Sequence, residues 1–262
     1  MPVFNRLKIV PIVAGCAVLA LSQTAQAQST RTPWTNLTPE KMTAVWWQWA
    51  YSVPYLTSPW WDDTGNKAAS GQPYFTAPAG PGELFFLAGT DEQEQLANGD
   101  TLGEVTRSLS VKAGTAFFFP LINAEWDDVY CKPRLGGFQW GKPMGVPVLL
   151  GLASGFVDSA GGLYTRVTPA GGATIDLGNS IVRLQSQPFP YKLPDGNVYQ
   201  LGFHLNVPRG TVSPAISDGY WVFIPGDFLA PGTYLLEFGG SAPQSTGGSF
   251  IEKITYQITI TP

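Results

Sequence analysis

Residues 115–123 read TAFFFPLIN, a run of apolar and aromatic side chains without a single charge. Such a run is typical of a strand that is buried on both faces in the middle of a sheet. Other β-rich segments surround it at short spacing, and the 30 Gly and 23 Pro of the chain separate them with turns. In the last segment, at 250–260, apolar and polar residues alternate, which places Ile254, Tyr256 and Ile258 on one face of a strand. Ile251 breaks this alternation, because its position belongs to the opposite face.

This pattern predicts a mainly β protein, a single antiparallel β-sandwich or jelly roll with one N-terminal helix and one inserted helix. The N-terminal helix should begin with Thr38 as its N-cap and Pro39 in its first turn, and it should end at Pro54. Apolar residues at helical spacing predict the inserted helix over 146–158. The sandwich domain is expected to occupy residues 37–262.

The first 27 residues have the three parts of a secretory signal peptide. Arg6 and Lys8 precede an apolar run over 9–21, and residues 25–27 read AQA, a cleavage site for signal peptidase. We therefore predict a signal peptide at 1–27, a flexible leader at 28–36 and a periplasmic or extracellular protein without a transmembrane segment. Residues 13–16, VAGC, also fit a lipobox with Cys16 as the lipidated residue, but the apolar run continues beyond it, which favours cleavage after Ala27.

Charge and motif content exclude several classes of protein. The chain has 15 Lys and Arg against 19 Asp and Glu and no basic tract, so nucleic acid is not expected as a partner. His204 is the only histidine, which excludes zinc sites that need two or three. The sequence has no P-loop, dinucleotide fingerprint or G-x-S-x-G elbow, so we predict neither a cofactor nor a metal site. It gives no indication of an oligomeric state.

A candidate acid–base site follows the apolar run, where residues 123–128 read NAEWDD. Carboxyl groups against an aromatic wall have raised pKa values and can act as general acids, which makes Glu125 and Asp127 candidate catalytic residues. Asn123, Trp126 and Asp128 are candidate ligand-binding residues of the same segment. The alternative interpretation is the entrance of a loop, with exposed acids and a Trp that packs back.

The segment 198–207 is a second candidate, because its apolar and polar residues alternate as in a strand. Gln200, His204 and Asn206 would share one face, which is either the wet side of a sheet or the floor of a cleft. If this strand approaches the acidic segment, His204 could be a general base with Glu125 or Asp127 as its partner.

Aromatic residues in irregular segments form a third candidate site. Tyr55, Trp60 and Trp61 lie among Pro and Gly, where rigid aromatic faces can stack against sugar rings or apolar ligands. The alternative interpretation is a cluster that seals the end of the sandwich.

Six short motifs occur in a familiar order: WWQW at 46–49, DTG at 63–65, FLAGT at 86–90, FPLIN at 119–123, SDGYW at 217–221 and PGTY at 231–234. In these motifs the chain resembles an uncharacterised family of secreted bacterial β-sandwich proteins with no assigned activity. The resemblance implies one shared domain over most of the mature chain, and it implies no reaction. Family members often carry cysteines where this chain has Ala68, Ala69 and Ser108, so a structural disulfide is excluded there.

Two functions are therefore expected from the sequence. The first is a secreted or periplasmic protein that binds a glycan or another small molecule in an aromatic-lined cleft. The alternative is a hydrolase or lyase that uses the clustered carboxyl groups with His204 as general base.

Overall fold

The computed structural model describes residues 36–62, 64–67, 82–91, 93–129, 144–244 and 247–262. These residues belong to one compact unit, Thr32–Pro262. The predicted signal peptide, Cys16, the leader up to residue 35, and the Ala68 and Ala69 positions lie outside the described residues.

Helices and strands in the described part of the chain follow the predicted order in most places. The α-helices are α1 (Pro39–Ser52), α2 (Val146–Val157) and the single turn α3 (Val198–Leu201). The strands are β1 (Leu84–Phe86), β2 (Glu94–Gln95), β3 (Thr101–Lys112), β4 (Ala116–Asp127), β5 (Gly161–Pro169), β6 (Ile175–Asp176), β7 (Val182–Gln185), β8 (Phe189–Leu193), β9 (Gly210–Ile224), β10 (Gly232–Pro243) and β11 (Ser249–Thr261).

The strands form two sheets, which confirms the predicted mainly β sandwich. The first sheet has the order β1-β4-β9-β7, with β8 also paired to β9, and the second has the order β2-β3-β11-β10-β5-β6. Both sheets are mixed, since β1 pairs with β4 and β3 with β11 in parallel, while the other pairs are antiparallel. Local alternation does not reveal these parallel pairs, because parallel partners are joined by long connections.

Strand β4 is buried on both faces because the first sheet is the middle of three layers. Phe118 faces α1, and its ring stacks on Trp221 with 5.0 Å between the centroids. Phe119 faces the second sheet, and its ring centroid lies 4.4 Å from that of Phe238. The run TAFFFPLIN lacks a polar face because neither face of this strand meets water.

Helix α1 covers the outer face of the first sheet and confirms the predicted N-terminal helix. Thr38 accepts a hydrogen bond at Oγ1 from the N–H of Lys41 (3.4 Å), and Pro39 lies in the first turn. Trp46 is buried and donates its indole N–H to the carbonyl of Leu87 (2.9 Å), which anchors the helix next to β1. The predicted inserted helix is also confirmed, as α2.

The predicted strand at 198–207 is wrong. Asn197 accepts at Oδ1 from the N–H of Gln200 (3.1 Å) and caps the one-turn helix α3, after which the chain turns back. The N–H of Leu205 donates to the carbonyl of Tyr199 (2.7 Å), and His204 has a positive φ of 55°. The alternation of apolar and polar residues arose without a sheet, because the side-chain cap and the turn determine the conformation locally.

Candidate functional site

A bulge in β4 decides which side chains reach the outer face of the first sheet, the face that α1 covers. The register to β9 shifts between Pro120 and Ile122, so one extra residue lies on β4. Before the shift the outer positions are even-numbered, as Phe118 shows, and after it they are odd-numbered. Asn123, Glu125 and Asp127 therefore lie on the outer face, and all three belong to the strand, which extends beyond the apolar run to Asp127.

A cleft of about 570 Å³ opens on this face and is here called the main cleft. Its aromatic wall consists of Trp47, Tyr51, Trp60, Trp61, Trp126, Phe156 and Phe203. Its polar lining consists of Asp91, Gln93, Asn123, Glu125 and Gln244. This volume falls within the range of ligand pockets, and mostly apolar walls with a few polar groups are typical of them.

A smaller cavity of about 200 Å³, here called the side cavity, lies next to the main cleft. The two share a wall that includes Trp47, Trp60 and Asn123. Thr90 and Glu252 line only the side cavity. The main cleft and the side cavity are therefore neighbouring compartments of one depression.

Glu125 is a buried acid at the floor of the main cleft, with 9% of its surface exposed. Its Oε2 accepts a hydrogen bond from the hydroxyl of Tyr51 (2.7 Å), whereas its Oε1 has no partner in the part of the chain that the structure describes. Burial raises the pKa of Glu125 well above its usual range, and the negative charge of Asp127 raises it further. Since Oε2 already accepts a hydrogen bond, the proton of the neutral acid belongs on Oε1, where it can be donated to a ligand.

Asp127 lies beneath the cleft in a network of tyrosines. Its Oδ2 accepts hydrogen bonds from the hydroxyls of Tyr191 and Tyr199, the latter at 2.6 Å, and its Oδ1 accepts from the N–H of Val129. The Tyr51 ring stacks on that of Tyr191 with 4.2 Å between the centroids. Burial raises the pKa of each of the three tyrosines well above its usual range, so they remain neutral donors. Asp127 thus holds Tyr191, on which the ring of Tyr51 stacks, and Tyr51 in turn donates to Glu125.

Several buried polar atoms at the cleft have no hydrogen-bond partner among the residues described. They are Oε1 of Glu125, Nδ2 of Asn123 and Nε1 of Trp47 and of Trp61, which line the cleft, and Oγ of Ser217, whose residue pairs with Glu125 across the sheet. An unsatisfied buried polar group costs about 1–3 kcal/mol. A group of such atoms on one wall is typical of a site that water or a ligand completes.

Glu252 occupies an inward position of β11 where its neighbours on the same face are apolar. It is 6% exposed, and its Oε1 accepts from the N–H of Thr90 (2.8 Å). A Cβ on Gly89 would come within 1.8 Å of that oxygen, so a larger residue there would force the carboxyl group to move. Burial is the main cause that raises the pKa of Glu252 to about 8, against the lowering effects of the Thr90 N–H and of Arg107.

Arg107 connects the segments that carry the walls of the cleft. Its guanidinium is fully buried, pairs with Asp62 (3.4 Å) and donates to four carbonyl oxygens, those of Pro59, Asp62, Ala88 and Gly89. The first two acceptors flank Trp60 and Trp61, and the last two precede Asp91. One buried cation on β3 therefore holds both segments in place.

The structure brings some of the predicted site residues together and separates others. Asn123, Glu125, Trp126, Trp60 and Trp61 line the main cleft. Asp127 lies next to Glu125 beneath the cleft. Other residues of the predicted site do not line the cleft. Tyr55 packs on Trp61 (5.4 Å), and Asp128 accepts a hydrogen bond from the N–H of Met144. Gln200 lies on α3, and His204 and Asn206 are exposed.

His204, the predicted general base, is exposed on the loop after α3 and is not among the residues that line the cleft. The reason is the turn that replaces the predicted strand. Sequence reasoning did not identify Trp47 and Tyr51, which lie in the predicted N-terminal helix, or Glu252 as residues of a site. The signal for Glu252 was present, because a Glu interrupts the apolar face of the last strand.

Cys131 and the connection over 130–143 lie outside the described residues. Among the residues described, no three His, Cys, Asp or Glu side chains are grouped so that they could hold a metal ion. No described helix is both long and apolar enough to cross a membrane. Comparison with family models, curated proteins and solved structures gives no match. The geometry of the cleft is therefore the basis on which its function is inferred.

Proposed function

We propose that this protein binds a small, uncharged, hydroxyl-bearing ligand in the main cleft, with carbohydrate as the chemical class. One observation carries the proposal. Trp47, Trp60 and Trp61 line the same cleft as a buried acid whose Oε1 has no partner among the described residues. Aromatic faces suit the apolar side of a sugar ring, and a neutral carboxyl group can both donate to and accept from hydroxyl groups.

The charges of the cleft favour an uncharged ligand. No Lys, Arg or His is found among the described residues that line it, so nothing there would offset a carboxylate or a phosphate. Burial raises the pKa of Glu125 well above its usual range and so favours its neutral form, which attracts a cation only weakly. Asp91 is the other acid of the lining, and it lies beside the amides of Gln93 and Asn123, which suit hydroxyl groups.

The predicted signal peptide adds the location to this proposal. If residues 1–27 direct export, the protein meets its ligand in the periplasm or outside the cell. The resemblance to a family of secreted proteins agrees with that location and assigns no activity.

A glycoside hydrolase is the second candidate, and the raised pKa of Glu125 favours it. A protonated carboxyl group facing a sugar can act as a general acid, and a second carboxyl group such as Asp91 would then be needed across the substrate. Analysis of the products after prolonged incubation with any saccharide that binds separates the two candidates. New reducing ends that disappear in Glu125→Gln indicate a hydrolase, and an unchanged saccharide indicates a binding protein.

Binding can be measured directly, because Trp47, Trp60 and Trp61 report on the cleft by fluorescence. The purified protein is titrated with mono-, di- and trisaccharides of glucose, galactose, mannose and N-acetylglucosamine. Matched uronic acids and amino sugars serve as charged probes, and calorimetry confirms each hit. We expect uncharged saccharides to bind more tightly than either charged series. Binding of the charged probes alone, or of no member of the panel, would overturn the proposal.

Variants of Glu125 test its role as a donor. Glu125→Ala should weaken binding at least tenfold, which corresponds to about 1.4 kcal/mol. Glu125→Gln should bind within about threefold of the parent, because the amide can donate from the position of Oε1 while its oxygen still accepts from Tyr51. Glu237→Gln, on the second sheet and paired with Arg166, is the matched control and should leave binding unchanged. Equal binding by the parent and Glu125→Ala would remove Glu125 from the site.

A further inference from the structure

The outer face of β4 forms a continuous floor beneath both compartments. Pro120 lies under the side cavity, Asn123 lines both compartments, and Glu125 lies under the main cleft. Glu125 follows Pro120 by five residue steps along a bulged strand, which corresponds to roughly 15 Å. A ligand that reaches both ends of this floor must therefore be longer than one sugar ring.

Each compartment has its own buried acid. Glu125 lines only the main cleft, and Glu252 lines only the side cavity. The two acids come from different sheets, on β4 and β11 respectively. Asn123 lies on the wall between the compartments, and its buried Nδ2 has no partner within the described ranges.

The fold makes room for Glu252 at positions where an apolar residue would be simpler to bury. Its carboxyl group lies against the Cα of Gly89, where a Cβ would come within 1.8 Å of Oε1. Its backbone carbonyl approaches Gly239 equally closely, since a Cβ there would come within 1.9 Å of that oxygen. The approach of Gly239 concerns the backbone and would be the same for any residue at 252, whereas Gly89 lies against the carboxyl group itself, which lines the side cavity.

We infer that the side cavity is a second subsite and that the ligand is an uncharged oligosaccharide of at least two rings that spans Glu125 and Glu252. This inference rests on the proposed function. Asn123 contacts the ligand between the two rings, where its unpaired amide can donate to a ring or linkage oxygen. Trp47 and Trp60 line both compartments, so they give the ligand one continuous aromatic wall.

The chemistry of Glu252 agrees with this role. Its Oε1 accepts from Thr90, and the pKa of about 8 keeps the carboxyl group largely protonated at neutral pH. A neutral acid can donate to a hydroxyl group of the ligand, as Glu125 does in the main cleft. Two charged groups act on the pKa of Glu252. Arg107 lowers it, and Asp91 raises it.

The length of the ligand and the identity of residue 252 are varied together in the test. Glucose, galactose, mannose and N-acetylglucosamine, with their di- and trisaccharides, are titrated into the parent, Glu252→Ala and Glu252→Gln. We expect the di- or trisaccharide of the bound series to bind at least tenfold more tightly than its monosaccharide. Glu252→Ala should remove that gain and change monosaccharide binding less than twofold, and Glu252→Gln should restore most of it.

Phe250→Ala provides a second variant in case Glu252→Ala does not fold. Phe250 is half-buried and lines the side cavity without lining the main cleft, so its removal should also abolish the gain from ligand length. If monosaccharides bind and respond to Glu125→Ala while longer ligands gain nothing, the second subsite is overturned and the proposed function stands. If no saccharide binds the parent, both are overturned.

Discussion

Replacing Glu252 by Gln should stabilise the protein at neutral pH, and the gain should grow as pH rises from 4.5 to about 8. In the folded protein Glu252 holds its proton up to a pKa of about 8, whereas in the unfolded chain it releases the proton above its ordinary value of 4.5. Between these values the folded state binds more protons, so its stability falls as pH rises. Gln is neutral at every pH and does not contribute this loss.

The size of the effect follows from the shift. Each pKa unit corresponds to about 1.4 kcal/mol, so the loss in the parent amounts to roughly 3 kcal/mol at pH 7 and roughly 5 kcal/mol above pH 8. Domains of this kind have unfolding free energies of about 5–15 kcal/mol, so the difference is large enough to measure.

Urea unfolding followed by tryptophan fluorescence, from about pH 4.5 to about pH 9, measures the difference between Glu252→Gln and the parent. We expect the two free energies of unfolding to diverge with pH and to run parallel above pH 8. Glu237→Gln is the matched control with the opposite sign, because hydrogen bonds from Arg166 lower the pKa of Glu237. Glu237→Gln should therefore have a lower free energy of unfolding than the parent at neutral pH, and this difference should vanish as pH falls. Curves for Glu252→Gln and the parent that stay parallel throughout would show that folded Glu252 is ionised at neutral pH, which would refute the reasoning.

Further stability predictions concern Arg107 and two glycines. Arg107→Met leaves Asp62 as a buried charge without its ion-pair partner. The free energy of unfolding in urea should therefore fall by about 3–5 kcal/mol. A loss below about 1 kcal/mol would contradict the linking role of Arg107. Gly219→Ala places a Cβ 2.5 Å from the Cβ of Asn123 and should destabilise by about 1–3 kcal/mol, measured the same way. Gly151→Ala, on the exposed side of α2 with open space around it, is its control and should stabilise by about 0.5–1 kcal/mol. Equal effects of the two glycine substitutions would contradict the crowding at Gly219.

The fold was predictable where the local signal and the tertiary structure agree. The apolar run at 115–123 identified a central strand because both its faces are buried, and Thr38 with Pro39 marked the start of α1 because capping is local. The parallel pairing of β3 with β11 was not predictable, since it depends on segments far apart in the sequence. The strand predicted at 198–207 failed because a side-chain cap at Asn197 outweighs an accidental alternation.

The candidate site was predictable in part for the same reasons. Acids after an apolar strand pointed to Glu125, but the bulge at Pro120–Ile122 that puts it on the outer face leaves no clear mark in the sequence. Tyr51 contributes to the cleft only because α1 packs over that face. Glu252 did leave a mark, since the out-of-step Ile251 reflects an acid in the inward position beside it.

A crystal structure of the protein with the tightest-binding saccharide of the panel tests the central claim most directly. We predict a sugar ring stacked on a tryptophan of the main cleft, with one hydroxyl group within about 3 Å of Oε1 of Glu125. A saccharide bound elsewhere, or one in the cleft whose hydroxyl groups leave Oε1 without a partner, would contradict the account.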